Sequence, residues 1–278
     1  MQIKSIRVSG LEISYFETNP TVSDAVIFIH GNSTNKSVFL PQLESEMFSS
    51  VRCLALDLPG HGASSHLDRE QSHLYSLTFY AEVIRDFAHE LGVLKPLLIG
   101  HSLGGHVAIR ITRLLEPGGL LIFQAPPMES IEDLGLAFLP HPAGQCLFSE
   151  VINDEQVDLI ASCAVSDAKD PRFEPILAFI KNAVKQTDPK CRAGVVADLL
   201  ARKTFAEVTQ VRDLNCPLCV VHGWHDPLVN SQYVESLQFP QLWGGGIVYI
   251  DGGHFPHLEN ADEFNRIAGR FIAYVFER

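Results

Sequence analysis

An α/β architecture built on a mostly parallel sheet is predicted by three features of the chain. Short runs are apolar throughout, helical periodicity fills the gaps between them, and each run ends in a polar or glycine-rich cluster. The runs are Ala25–Ile29, Val51–Leu56, Pro96–Ile99, Leu120–Phe123, Leu218–Val221 and Ile247–Ile250. They lack the two-residue alternation of a half-exposed sheet, as strands do when helices cover both faces. Only the start of the chain differs. Ile3 to Val8 and Leu11 to Phe16 alternate apolar and polar residues around Ser9-Gly10, which predicts a hairpin.

Helices account for the intervals. Phe79, Val83, Phe87 and Leu91 recur at every fourth position and predict the buried stripe of a helix ending at Gly92. Phe264, Ile267, Phe271 and Val275 predict another, with Asn260 and Glu263 as a capping pair at its start. From about Pro126 to Phe205 the rhythm breaks. Helix-like segments there are punctuated by Pro140, Pro142, Pro171, Pro175 and Pro189, with no convincing parallel strand. That stretch reads as a helical insertion between two sheet strands, dividing the chain into a core of residues 1–125 and 206–278 and an inserted unit of residues 126–205.

Composition narrows the function classes. At roughly 150 residues per domain, 278 residues make one large domain or two small ones. Hydrophobic residues at 46% against 19% charged supply a packed core and argue against disorder. Lys and Arg number 21 against 33 Asp and Glu, a formal net charge of −12. With that balance and no basic run, nucleic acid is excluded as a partner. No apolar stretch approaches the ~18 residues of a membrane span. The opening residues Met1 to Arg7 lack the apolar region of a signal peptide. The expectation is a soluble, cytoplasmic protein acting on a small molecule, without a membrane partner.

The cysteines, Cys53, Cys146, Cys163, Cys191, Cys216 and Cys219, are scattered. Cys216-Pro217-Leu218-Cys219 is formally a C-x-x-C motif, but it runs into an apolar strand and has no second ligand pair, so buried thiols are expected.

Ligands of an open parallel sheet bind outside the carboxyl ends of its strands, so the residues after each run carry the chemistry. Gly100-His101-Ser102-Leu103-Gly104 fits G-x-S-x-G, follows a strand and precedes the helical run from Gly104 to Leu115. That is the setting of a nucleophile elbow, with Ser102 presented at a helix N-terminus. The alternative is a glycine-rich turn or a phosphate cradle. The chain contains neither G-x-G-x-x-G nor G-x-x-x-x-G-K-[ST], which weakens the nucleotide reading. A serine hydroxyl needs a base oriented by a carboxylate, in the chain order Ser, acid, His. Asp226 follows the run at Leu218 and His254 follows the run at Ile247, which puts both at the sheet edge that carries Ser102.

Three competitors are set aside. His257 begins the following loop, His225 should point to the other side from Asp226, and Asp251 lies too close in sequence to His254. Two oxyanion donors are needed, and the backbone N–H groups of Leu103 and Asn32 are the candidates, with the Asn32 side chain as a further one. Asp57-Leu58-Pro59-Gly60-His61-Gly62 reads as a rigid structural turn, and Gly244-Gly245-Gly246 as a loop. Among 12 histidines, His222-x-x-His225 and His254-x-x-His257 lie at strand ends, without the helical spacing and third ligand of a zinc site. No metal and no cofactor is expected.

Together these residues resemble the serine-nucleophile branch of the α/β-hydrolase superfamily. The resemblance rests on His30-Gly31, Asp57-Leu58-Pro59-Gly60-His61-Gly62-Ala63-Ser64, Gly100 to Gly105, Asp226-Pro227, and Gly253-His254 with Glu259. It implies an eight-stranded, mostly parallel sheet flanked by helices, with a helical cap after the sixth strand, where the 126–205 insertion falls. Ser102 sets the chain apart from haloalkane dehalogenases and epoxide hydrolases, whose nucleophile is Asp. His30-Gly31-Asn32-Ser33, Phe39 to Glu44, Ser102 to His106 and Leu242-Trp243-Gly244 are similar to the N-acylhomoserine lactone hydrolases of this fold. The chain departs from that branch at His101, before the serine, and at the acid, Asp226.

The resemblance implies hydrolysis of a carboxylic ester or lactone through an acyl-enzyme. Thioester hydrolysis, carbon–carbon cleavage and acyl transfer use the same triad and stay open, as does a non-catalytic receptor for a small ligand. Phe138, Phe148, Phe173 and Phe179 are candidates for an acyl pocket or for the cap's own core, and His101 for a substrate contact.

Overall fold

Eight strands form one sheet: β1 (Ile3–Val8), β2 (Leu11–Thr18), β3 (Ala25–Ile29), β4 (Arg52–Leu56), β5 (Leu97–His101), β6 (Gly119–Phe123), β7 (Leu218–Gly223) and β8 (Val248–Ile250). The computed structural model describes residues 2–202 and 205–277. The strand order is β1-β2-β4-β3-β5-β6-β7-β8. The hairpin β1–β2 turns at Ser9 and Gly10, both with positive φ, and β2 also runs antiparallel to β4. From β4 to β8 every pairing is parallel.

The two faces of these strands explain their unbroken apolar character. Ile27, Ile29, Leu54, Leu56, Leu98, Leu120 and Ile122 enter one core, while Val26, Phe28, Cys53, Ala55, Ile99, Leu121 and Phe123 enter the other. Alternate residues thus point into two separate buried layers, and polar side chains are confined to the strand ends, at Arg52, His101 and His222. At β5 and β7 pairing runs past the apolar run, through Gly100 and His101 opposite Ile122 and Phe123, and through His222 and Gly223 opposite Tyr249 and Ile250.

Helices α1 (Leu77–Glu90) and α2 (Leu103–Ile111) cover the first layer. The cap helices α3 (Asp154–Ser162), α4 (Glu174–Gln186) and α5 (Pro189–Arg202) follow β6. Then come α6 (Glu207–Arg212), before β7, and α7 (Ala261–Phe276), which covers the second layer. On α1 the buried stripe is centred on Tyr80, Val83, Ile84 and Phe87, while the expected end members Phe79 and Leu91 are half-buried. A strict four-residue repeat drifts around a helix of 3.6 residues per turn, so its ends leave the core. The expected capping pair of α7 is not formed as such. A short helix, Pro256–Glu259, runs directly into α7, and Asn260 Nδ2 donates to the Glu263 carboxylate at 2.8 Å instead of capping a backbone N–H.

The turn after β4 is a structural knot. Buried Asp57 accepts from the backbone N–H of Lys36 (2.7 Å) and of Ala63 (2.8 Å) and from Lys36 Nζ (2.6 Å). Gly60, at φ +79, lies so close to the cap that an added Cβ would fall 2.1 Å from Cys191 Sγ. The Asp188 N–H donates to the Gly60 carbonyl at 2.8 Å, so this turn also seats α5. Among the described residues the six cysteines are buried and unpaired, and no helix is long and apolar enough to cross a membrane.

Replacing Lys36 with Met leaves the Asp57 carboxylate buried without its cation. The expected loss is about 3–5 kcal/mol of unfolding free energy, read from urea denaturation. A loss below 1 kcal/mol would mean that the two backbone donors suffice.

Candidate active site

Ser102 sits where β5 turns into α2, at φ 50 and ψ −121, a conformation that L residues adopt only under constraint. Three glycines make the turn possible. A Cβ on Gly104 would meet the Ile29 carbonyl oxygen at 2.1 Å, one on Gly100 the Gly104 carbonyl oxygen at 2.5 Å, and one on Gly105 the Ala125 Cβ at 2.3 Å. The strained residue is tied down by its N–H, which donates to the Phe123 carbonyl at 3.0 Å, and by its carbonyl, which accepts from the Gly105 N–H at 2.8 Å.

The loops after β7 and β8 bring the expected partners together. His254 Nε2 lies 3.1 Å from Ser102 Oγ, and His254 Nδ1 lies 2.8 Å from Asp226 Oδ2. The other Asp226 oxygen accepts from the Leu228 and Val229 N–H groups at 2.7 and 3.2 Å. A carboxylate only accepts, so Nδ1 carries the imidazole proton and Nε2 turns a lone pair toward the hydroxyl. His254 and Asp226 are both buried, and Ser102 is partly open to a cavity.

The loops are held by further side chains, one of which, Gln124, sequence reasoning passed over. Gln124, the residue after β6, donates to the Gly253 carbonyl at 2.9 Å and accepts from the Gly223 N–H at 3.2 Å, joining the acid loop to the histidine loop. Its position directly after a strand was the available signal. Glu259 accepts from the Gly253 N–H at 2.5 Å and from the Ser166 N–H and hydroxyl, both at 2.8 Å, joining the histidine loop to the cap. His101 donates from Nε2 to the His254 carbonyl at 2.8 Å. Burial, with His257 and His254 beside it, drives the His101 pKa well below the ordinary imidazole value.

The competitors lie elsewhere. His225 and Asp251 are exposed and face each other at 3.3 Å. His257 is fully buried, with rings of Phe123, His101 and Phe39 within 5.4 Å and, among the described residues, no hydrogen-bond partner for either nitrogen. Burial holds its pKa down to about 3, so the ring is neutral. Among the described residues no three His, Cys, Asp or Glu side chains are grouped to hold a metal ion.

The loop after β3 presses against the nucleophile. A Cβ on Gly31 would lie 3.2 Å from Ser102 Cβ. Asn32 and Leu103 line the cavity with Ser102 and His254. The Asn32 carboxamide is engaged otherwise than expected: Nδ2 donates to the Leu147 carbonyl at 2.7 Å and Oδ1 accepts from Ser33, which ties the loop to the cap. The cavity measures about 450 Å³ and is walled chiefly by apolar side chains from core and cap. Phe138, Phe148 and His101 line it, whereas Phe173 and Phe179 pack against the second core layer.

A constrained serine at a strand–helix turn, hydrogen-bonded to a histidine and a carboxylate from later strand ends, belongs to the α/β-hydrolase class of sites. The family model for alpha/beta hydrolases matches residues 26–267, and the chain belongs to that family. Among solved structures, a serine-to-glycine mutant of the N-acyl homoserine lactonase AidH complexed with N-hexanoyl homoserine lactone superposes with a TM-score of 0.90 and 28% identity, covering 100% of this chain and 99% of that one. An esterase from Thermogutta terrifontis shares the fold at a TM-score of 0.79 and 20% identity, covering 99% of each chain. A 2-hydroxy-6-oxononadienedioate/2-hydroxy-6-oxononatrienedioate hydrolase of Klebsiella pneumoniae is 24% identical over 267 residues, 90% of this chain and 87% of that one.

His257 generates a test of the packing behind the site. Its folded pKa of about 3 lies below the ordinary 6.5, so between these values the unfolded chain holds a proton that the folded chain lacks. Stability therefore falls as pH drops through that window and is independent of this group above it. His257→Phe should reduce the slope of unfolding free energy against pH, between about pH 4 and 6, by about 1.4 kcal/mol per unit. Urea titrations of both proteins across that range measure it, and an unchanged slope would count against a buried neutral ring.

Proposed function

We propose that this protein is a serine hydrolase that cleaves a carboxylic ester or lactone through an acyl-enzyme. The observation that carries the reading is the Ser102–His254–Asp226 hydrogen-bond chain opening onto a largely apolar cavity. In this reading Ser102 Oγ attacks the carbonyl carbon while His254 Nε2 takes the hydroxyl proton. Asp226 holds the imidazole in the required tautomer and stabilises the imidazolium. The oxyanion receives hydrogen bonds from the Leu103 and Asn32 backbone N–H groups, near the N-terminus of α2. His254 returns the proton to the leaving alkoxide. Water, deprotonated by His254, then attacks the acyl carbon, and the imidazolium returns the proton to Ser102 Oγ as the acyl–oxygen bond breaks. In a lactone the leaving alkoxide stays attached to the product acid.

Residues 126–205 act as the cap in this reading, over a core of 1–125 and 206–278, and Phe138 and Phe148 contact the substrate chain. The likeness to an N-acyl homoserine lactonase along the whole chain favours an acylated lactone among the possible esters. Carbon–carbon cleavage of a dioate, the substrate named for the Klebsiella relative, is less well supported. No Lys or Arg lines the cavity among the described residues to pair with a second carboxylate. Six free thiols suit a reducing compartment, and we place the enzyme in the cytoplasm.

Proton release on a panel of N-acyl homoserine lactones and p-nitrophenyl esters tests this reading. Ser102→Ala should lower kcat by about 10⁶-fold and Asp226→Asn by about 10⁴-fold, with circular dichroism unchanged. Near-normal turnover by Ser102→Ala would overturn the mechanism. Ester turnover without lactone opening would leave the mechanism and remove the lactone.

A further inference from the structure

One polar group on the cavity wall has no part in this chemistry. Of the polar residues lining the cavity, Asn32 is tied to Leu147, the Thr34 hydroxyl donates to the Gly31 carbonyl at 2.9 Å, and His101 is bonded through Nε2 to the His254 carbonyl, with its Nδ1, unpartnered among the described residues, buried against Gly31. Gln145 is exposed. His106 remains, one helical turn beyond the nucleophile, with its N–H donating to the Ser102 carbonyl at 3.3 Å.

His106 is 7% exposed and is held from behind. Its Nδ1 lies 2.8 Å from Glu207 Oε2, which also accepts from the Met128 N–H at 3.1 Å, while the Glu207 N–H donates back to the Met128 carbonyl at 2.9 Å. Glu207 is 1% exposed, so an acceptor locked in place beneath the cavity wall fixes the ring's orientation and gives Nδ1 the proton. Nε2 has no hydrogen-bond partner among the described residues. Phe138 stands beside the ring, with centroids 6.4 Å apart, and the surrounding cavity is largely apolar. A buried carboxylate and imidazole are costly in such a wall unless the free nitrogen meets a polar partner.

We propose that His106, oriented by Glu207, is a specificity-determining residue that binds a hydroxyl group on the substrate chain, a few bonds from the scissile carbonyl. The proposal rests on the hydrolase reading above. The distance follows from the turn, where His106 donates its N–H to the Ser102 carbonyl and both side chains line the same cavity. The hydroxyl follows from the chemistry of Nε2. The neutral ring accepts the hydroxyl proton and the imidazolium donates to the hydroxyl oxygen, so either state of His106 binds it. A keto oxygen is bound only by the imidazolium, and a methyl group by neither.

The test compares ethyl hexanoate with its 3-hydroxy, 3-keto and 3-methyl derivatives by proton release, with a fluorophosphonate probe reporting on Ser102. The wild type should favour the 3-hydroxy over the 3-methyl chain by about tenfold or more in kcat/KM, since a site built to bond a hydroxyl discriminates against its apolar isostere. His106→Phe should bring that ratio to within about twofold of unity, and His106→Gln, which keeps a donor and an acceptor, should retain part of it. A purely structural His106–Glu207 pair would change activity on all four esters together and leave the ratio alone. Turnover without the preference, a preference that survives His106→Phe, or a labelled serine that turns over none of the four would overturn the proposal. An unlabelled serine with no turnover would instead overturn the hydrolase reading on which it stands.

Discussion

The contact on which the site depends is the approach of α2 to the end of β3, where Gly104 leaves no space for a Cβ beside the Ile29 and His30 carbonyl oxygens. Any larger residue there would push the helix away from the sheet and relax Ser102 from its positive φ. The strained backbone costs of the order of 1–3 kcal/mol, and the surrounding contacts of Gly100, Gly104 and Gly105 hold it. The same close approach sets the β3 loop against the nucleophile, with Gly31 in contact with Ser102 and Asn32 next in sequence. The position of the serine and that of the backbone facing it are consequences of one packing contact.

Behind the serine the environment is arranged around the charge that the proposed reaction would place on His254. His101 and His257 both lie close to it, and burial keeps both uncharged. A second positive ring at that distance, in a poorly screened interior, would oppose formation of an imidazolium. Among the described residues the one full charge in hydrogen-bond contact with His254 is the Asp226 carboxylate, whose second oxygen is satisfied by two backbone donors. This is the logic of a preorganised site: dipoles and charges are fixed before the reaction calls on them.

Much of this was legible because each feature is local. An apolar run of five residues reveals a doubly covered strand, and G-x-S-x-G with a strand before it and a helix after it reveals the turn. Asp226 and His254 could be placed because each follows a strand that the pattern had already located. What stayed hidden depends on contacts between distant segments. His106 and Glu207 are 101 residues apart, with the whole cap between them, and nothing near either one marks the other. The Glu259–Ser166 link spans 93 residues and joins a carboxylate to an undistinguished serine. The Asn260–Glu263 pair misled for the opposite reason. Its spacing suits a helix start, but a preceding short helix fills the place where a free cap would stand.

The cap is more than a cover in this architecture, because its attachments fall on the loops that form the site. The Leu147 carbonyl accepts from Asn32 on the β3 loop, Ser166 donates to Glu259 and so braces the histidine loop, and Asp188 bonds the Gly60 carbonyl and accepts from Tyr75 in the turn region after β4. Each bond is an ordinary one, worth about 1 kcal/mol, yet together they link the seat of the cap to two of the three strand-end loops beside Ser102. A shift of the cap large enough to admit a bulky chain would therefore strain the Asn32 and Gly253 positions as well as widen the cavity. Selection of a substrate by the cap and alignment of the reacting groups are coupled through these few bonds, and a chain that fits the cavity is one that leaves the site intact.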